Sequence, residues 1–203
     1  MGCSRYACDV VHVVLSKSQE YRFTDDFSNV NVVGDEGPVG SAAIERIMDE
    51  DLKSSVIDLR GSTVATTCVQ CPKKCLGPLK SMGITLPYLV FLIKNMEKPC
   101  SIEVQVIDSK NERRRFRAST FQRSVKTNAK ITAMPLKLSA GWNHVQFNLD
   151  EFLYKWYSTR YKETVCIQVH ATCRLRRIYF TEELLSEEDI PPEFRLFVCN
   201  PRE

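Results

Sequence analysis

The chain has 203 residues, of which 43% are hydrophobic and 26% charged, with a formal net charge of +3. That length accommodates one domain with a substantial core, or one domain plus an extension, and the composition is globular, not disordered. No apolar run approaches the roughly 18 residues a membrane-spanning helix needs, and the best candidate for a secretion signal, Val10–Leu15, is short and interrupted by His12, so a cytoplasmic protein is expected.

In chain order, Val10–Leu15 reads as a strand and Asn29–Gly40, with three glycines and a proline, as a loop. Ala42–Leu52 places Ile44, Ile47 and Met48 on one side, the pattern of a short helical turn. Ser55–Leu59 and Thr63–Val69 flank Arg60-Gly61-Ser62, a hairpin signal. Tyr88–Ile93 is continuously apolar, as expected of a central strand buried on both faces. In the next strand Ile102, Val104 and Val106 alternate with Glu103 and Gln105, the two-residue period of a half-buried strand. Asp108-Ser109-Lys110-Asn111 then supplies turn chemistry, and Arg113-Arg114-Arg115-Phe116-Arg117 completes a hairpin whose second strand presents arginines.

Further along, Pro135 confines Ile131–Leu138 to an edge or a bulge. Trp142–Leu149 alternates with Val145, Phe147 and Leu149 inward and His144, Gln146 and Asn148 outward. Asp150 stands where a helix N-cap belongs, ahead of Glu151–Tyr157. Thr164–Ala171, with Val165, Ile167 and Val169 inward, and Leu175–Phe180 are further strands. A short acidic helix over Glu182–Asp189 and a last segment at Glu193–Val198 follow. Eight or more short strands at regular spacing predict a mainly-β fold, an antiparallel β-sandwich of jelly-roll type with one or two short helices.

Nine cysteines are an odd count in a chain with no visible signal peptide, so most are expected to be reduced thiols. Cys68, Cys71 and Cys75 have metal-like spacing, but zinc takes four ligands, and Cys100 joins them only if folding brings it close. No metal or other cofactor is therefore assigned. His144 and His170 fall on outward strand positions without a nucleophile elbow or reactive-cysteine signature, which argues against an enzyme. Gly2-Cys3 permits acylation, but Tyr6 replaces the usual hydroxyl residue, and no membrane attachment is assigned.

The charge is unevenly spread. Ser109–Arg177 holds 15 Lys or Arg against 4 Asp or Glu, a local excess of +11 between acidic flanks. Such a block argues for an anionic partner. The candidate partner-binding residues are Arg113, Arg114, Arg115 and Arg117 on one strand and Arg174, Arg176 and Arg177 on another, forming one patch if those strands are neighbours. Nucleic acid is an alternative partner for the same arginines, although Phe116 alone makes a poor stacking platform.

Several segments resemble the cilia- and flagella-associated protein 20 family: LPYLVFLIKN (86–95), EVQVIDSKNERRRFRAS (103–119), GWNHVQFNL (141–149), IQVHATCRLRRIYF (167–180) and SEEDIPPEFRLFV (186–198), with LRGSTVATTCVQCP (59–72) similar as well. The resemblance runs from about Ile44 to Val198 and identifies a divergent member or paralogue, with a β-sandwich over 41–200 and a divergent N-terminal segment over 1–40. The family's Trp-containing first strand has no counterpart there, and the loop from Cys71 to Pro87 is a few residues longer than usual.

The resemblance implies a non-enzymatic structural protein of the ciliary or flagellar axoneme, at the inner junction that closes the B-tubule onto the A-tubule of doublet microtubules. The implied partners are tubulin and a neighbouring junction protein of the parkin co-regulated gene product type, with no small-molecule substrate. The implied address is the cytoskeleton of the cilium, with the basal body as a second site.

Overall fold

The computed structural model describes residues 12–14, 20–22, 31–33, 42–65, 67–72, 81–184, 190, 195 and 196. The strands among them are β1 (His12–Val14), β2 (Glu20–Arg22), β3 (Asn31–Val33), β4 (Ala42–Asp49), β5 (Ser54–Gly61), β6 (Cys68–Cys71), β7 (Tyr88–Asn95), β8 (Ser101–Asp108), β9 (Arg113–Ser119), β10 (Lys126–Thr127), β11 (Ile131–Pro135), β12 (Gly141–Asn148), β13 (Tyr161–His170) and β14 (Cys173–Thr181). One helix, α1 (Leu149–Tyr157), interrupts them. They form the expected β-sandwich, with a seven-stranded sheet ordered β10-β11-β9-β8-β13-β6-β3 and a five-stranded sheet ordered β12-β7-β14-β5-β4. β1 and β2 pair separately. The pairings are antiparallel except β11 with β9, which is parallel.

The core follows from strand alternation. Ile102, Val104, Val106 and Phe116 from the larger sheet share one apolar cluster with Leu89, Phe91, Ile93, Leu175 and Phe180 from the smaller. β7 is an inner strand, between β12 and β14, and is buried on both faces, as its continuous apolar run predicts; its Val90 packs on the far side against Tyr179 and Ile190. α1 closes one end of the sandwich, burying Leu149 and Leu153 and setting Phe152 5.4 Å and Trp156 5.9 Å from the Phe116 ring.

Six expectations are corrected. Ala42–Leu52 is not helical; its first eight residues form β4, in register with β5 from Ala42↔Gly61 to Asp49↔Ser54. The β5 edge offers a ladder of hydrogen bonds, and pairing overrides a weak helical pattern. Ser55–Leu59 and Thr63–Val69 are not a hairpin, because β5 pairs with β4 and β14 while β6 lies in the opposite sheet. The turn between them carries the chain across the sandwich. Gly61 is required there, since a Cβ would stand 2.6 Å from Thr67 Oγ1.

Within Asn29–Gly40, Asn31–Val33 is a strand paired with β6 rather than loop. The register of β13 shifts at two bulges, so Val165 leaves the shared core for a separate cluster with Cys166 and Ile107. The N-cap of α1 is Asn148, whose side chain accepts the Glu151 N–H at 3.0 Å, two residues before the expected Asp150. Of the expected acidic helix, Glu182–Leu184 are not helical and 185–189 lie outside the described residues, as does most of Glu193–Val198.

Candidate functional site

The β8–β9 hairpin is organised by one buried carboxylate. Asp108 Oδ1 accepts the N–H groups of Lys110 and Glu112, each at 2.9 Å, and Asn111 takes the left-handed conformation that closes the turn (φ 60). Asp108 Oδ2 receives Arg114 Nε at 3.0 Å. Burial alone raises the Asp108 pKa, but the Glu112 N–H, the Arg114 guanidinium and the Lys110 N–H outweigh it and hold the carboxyl below the usual range. Arg114 also donates to the Ala129 carbonyl and lies 4.6 Å from the Tyr157 ring centre, a cation–π contact. Arg114 is therefore a fold residue.

Alternation sends Arg113, Arg115 and Arg117 to the opposite, outward face, where their β8 partners are Ile107, Gln105 and Glu103. Glu103 is buried and held by two guanidiniums, Arg115 Nε at 3.1 Å and Arg117 Nη2 at 2.8 Å. Both arginines keep over two-fifths of their side chains in solvent (41% and 44%). Arg113 is exposed, with a marginal 3.5 Å contact to Gln105.

The second arginine set does not join the first. β14 lies in the five-stranded sheet, so the two clusters decorate different sheets. Arg174 is spent internally, with Nη1 2.9 Å from Asp49 and Nε 3.3 Å from Asp58. Arg176 donates to the Ser55 carbonyl at 3.4 Å, and Arg177 is only 5% exposed. The single merged patch is thus replaced by one outward arginine row on β9 and one internal ion-pair network around β14.

Three basic residues extend the β9 row. Arg123, Lys126 and Lys130 are exposed on the segment between β9 and β11, which includes the two-residue strand β10 at the edge of the large sheet, and Lys130 O accepts the Arg115 N–H at 2.9 Å. From Lys110 to Lys137 the chain carries nine Lys or Arg and one acid, Glu112. The charge count included these residues. Only the strand register shows where they stand, since Lys126 pairs with Ala133 and Ala133 with Arg117, with Phe121 and Val125 also exposed (53% and 49%).

The two histidines singled out in the sequence have partners among the described residues. His144 Nε2 lies 3.2 Å from Tyr179 Oη and His170 Nδ1 lies 3.0 Å from the Val64 carbonyl. Cys68, Cys71, Cys100 and Cys173 are free thiols, whereas Cys166 is disulfide-bonded. Burial pushes the Cys71 thiol to about 12 and Cys100 to about 11, which makes both poor metal ligands and nucleophiles. Among the described residues no group of three or more His, Cys, Asp or Glu is placed to hold a metal; Cys75 lies outside them.

Comparison with known proteins places this geometry. The family model of the CFA20 domain matches residues 28–198, which span β3 to β14 and all seven candidate arginines. The chain belongs to the CFA20 domain family. The cilia- and flagella-associated protein 20 of Chlamydomonas reinhardtii is 50% identical over 160 residues, covering 79% of this chain and 83% of the relative. The proteins of that name from Paramecium tetraurelia (48% identity, 76% of this chain, 80% of the relative) and Caenorhabditis elegans (43%, 76% and 75%) are similar over 155 residues each. A solved exo-beta-agarase overlaps 74% of this CFA20 chain and 22% of its own, at TM-score 0.32 and 11% identity, too remote to bear on fold or function.

Proposed function

We propose that this CFA20 chain is a non-enzymatic structural protein of the cilium or flagellum that docks on the microtubule wall, at the inner junction of doublets, beside a neighbouring junction protein. The association with cilia and flagella rests on the names of relatives up to 50% identical. The observation that carries the docking surface is the outward row of Arg113, Arg115 and Arg117, continued by Arg123, Lys126 and Lys130 along a sheet edge with one exposed acid, Glu112, in the same stretch. Tubulin is acidic, and a lattice of repeated sites lets modest single contacts add.

Co-sedimentation with taxol-stabilised microtubules tests this. Arg113→Glu combined with Lys126→Glu and Lys130→Glu reverses exposed charges that no described carboxylate holds, so the fold is retained and binding is expected to fall at least tenfold at moderate salt. Unchanged co-sedimentation of the folded variant sinks the reading. Steeply salt-dependent retention of RNA on filters, with no microtubule binding by the unmodified chain, replaces it with the nucleic-acid alternative.

A further inference from the structure

At the end of β9 the chain forms an open cleft of about 510 Å3 between the β7–β8 turn (Asn95–Pro99), Thr120–Phe121 and the segment Leu136–Leu138. Its apolar part is made by Leu136, Leu138 and the exposed ring of Phe121. Lys98 and Lys137, both exposed, flank it, and neither is in an ion pair among the described residues. Glu97 is the one acidic group in the lining.

The uncharged hydrogen-bonding groups of Thr120, Asn95 and the Leu136 N–H are already used. Thr120 Oγ1 accepts the Cys100 N–H at 3.1 Å and lies 3.3 Å from the Cys100 carbonyl. Asn95 Nδ2 donates to Leu138 O at 3.4 Å, and Asn95 Oδ1 accepts the Glu97 N–H at 2.9 Å. The Leu136 N–H is committed to Ser119 O at 2.9 Å. The walls are therefore pre-organised but offer no converging set of spare donors and acceptors, the feature that orients a small polar ligand. What they offer is an apolar seat between two exposed cations. We infer that this cleft binds an acidic linear peptide segment of a partner protein, seating one aromatic or aliphatic side chain against Phe121 and Leu136 while flanking carboxylates meet Lys98 and Lys137.

The inference deepens the docking reading, since an acidic partner that meets the arginine row also meets this cleft four residues further along the chain. Its chemistry is nevertheless separable. The probe is a fluorescein-labelled peptide with one central Phe between three Glu on each side, titrated with the full chain and followed by fluorescence polarisation. Binding is expected to weaken at least tenfold for Lys98→Glu with Lys137→Glu, and likewise for Phe121→Ser. It is also expected to weaken when Ser replaces the central Phe of the peptide, and to change less than threefold for Arg113→Glu with Lys126→Glu and Lys130→Glu. No saturable binding below 1 mM overturns the inference, as does equal binding of the Phe and Ser peptides, which would mean charge attraction alone. A dimer in sedimentation velocity that Phe121→Ser dissolves also overturns it, by giving the cleft to a second copy. Because all three substituted residues are exposed, an unchanged melting temperature confirms that a loss is local. If the arginine-row variant loses microtubules yet keeps the peptide, the two sites stand independently; if microtubule binding fails in every form while peptide binding follows the pattern above, only the docking reading falls.

Discussion

Asp49 is the residue on which the outer face of the small sheet turns. Fully buried at the end of β4, it accepts Trp142 Nε1 at 3.1 Å, Lys94 Nζ at 3.1 Å and Arg174 Nη1 at 2.9 Å, together with the N–H groups of Asp51 and Leu52. Burial alone raises its pKa, but the hydrogen bonds from Trp142, Lys94, Arg174 and the Leu52 N–H prevail and set it at about 2. The folded value lies below the unfolded one of about 3.9, so the stabilisation is complete above about pH 5 and is lost as pH falls toward 2, a contribution on the order of 2 kcal/mol. Asp49→Asn is expected to cost about 3 kcal/mol in urea unfolding at pH 7, because it strands two cations, and to flatten the acid limb of the stability curve. A variant as stable as the unmodified chain at pH 7, with the same acid limb, would show that the network contributes nothing. Arg174 looked like a docking residue in the sequence because a side chain's partner 125 positions away is invisible there.

At the scale of the element, β9 serves two purposes on two faces. Phe116 is 1% exposed beneath Phe152, Trp156 and Tyr157, and Phe116→Ala is expected to destabilise by about 3–5 kcal/mol through the cavity it leaves. On the other face Arg113→Glu is expected to change stability by less than about 0.5 kcal/mol. Arg115→Glu with Arg117→Glu behaves differently, since it leaves Glu103 buried among like charges, and should cost about 3 kcal/mol or more. Thermal melts of the three variants check the order; an Arg115/Arg117 double reversal as stable as Arg113→Glu would mean that Glu103 is neutralised some other way. This hairpin was legible in advance, because Ile102, Val104 and Val106 repeat with the period of a strand and Asp108 announces the turn. Strand β4 was not, since Ile44, Ile47 and Met48 fit a helical face as well as they fit an edge strand, and only the β5 ladder decides.

For the whole molecule, one apolar cluster joins both sheets and α1, so the sheets have no separate cores to unfold from. Trp142 reports on the edge of the small sheet and Trp156 on the helix packed against Phe116 of the large one. Tryptophan fluorescence and far-UV circular dichroism are therefore expected to give one coincident urea transition. Two separated midpoints would show that the sheets fold independently. The same architecture divides the two arginine clusters, with Arg113, Arg115 and Arg117 on the outward face of the large sheet and Arg174 consumed by Asp49 and Asp58 in the small one.

Alternation, turn residues and charge count determine by themselves that this chain is a β-sandwich with a basic hairpin, because strand period and turn chemistry act over a few neighbouring residues. They also carry the family, whose motifs are continuous runs. Which arginines remain available is a different kind of fact. Alternation alone puts Arg114 and Arg117 on opposite faces, but that Asp108 and Tyr157 hold the one, while the other stays half in solvent over Glu103, is set by the fold. Sheet membership separated Arg174 from Arg113, and the meeting of three distant segments made the cleft at Phe121. Only the tertiary structure decides these, because a cation's availability depends on which carboxylate the fold brings within about 3 Å, and strand order, unlike strand identity, is set by packing across the whole core.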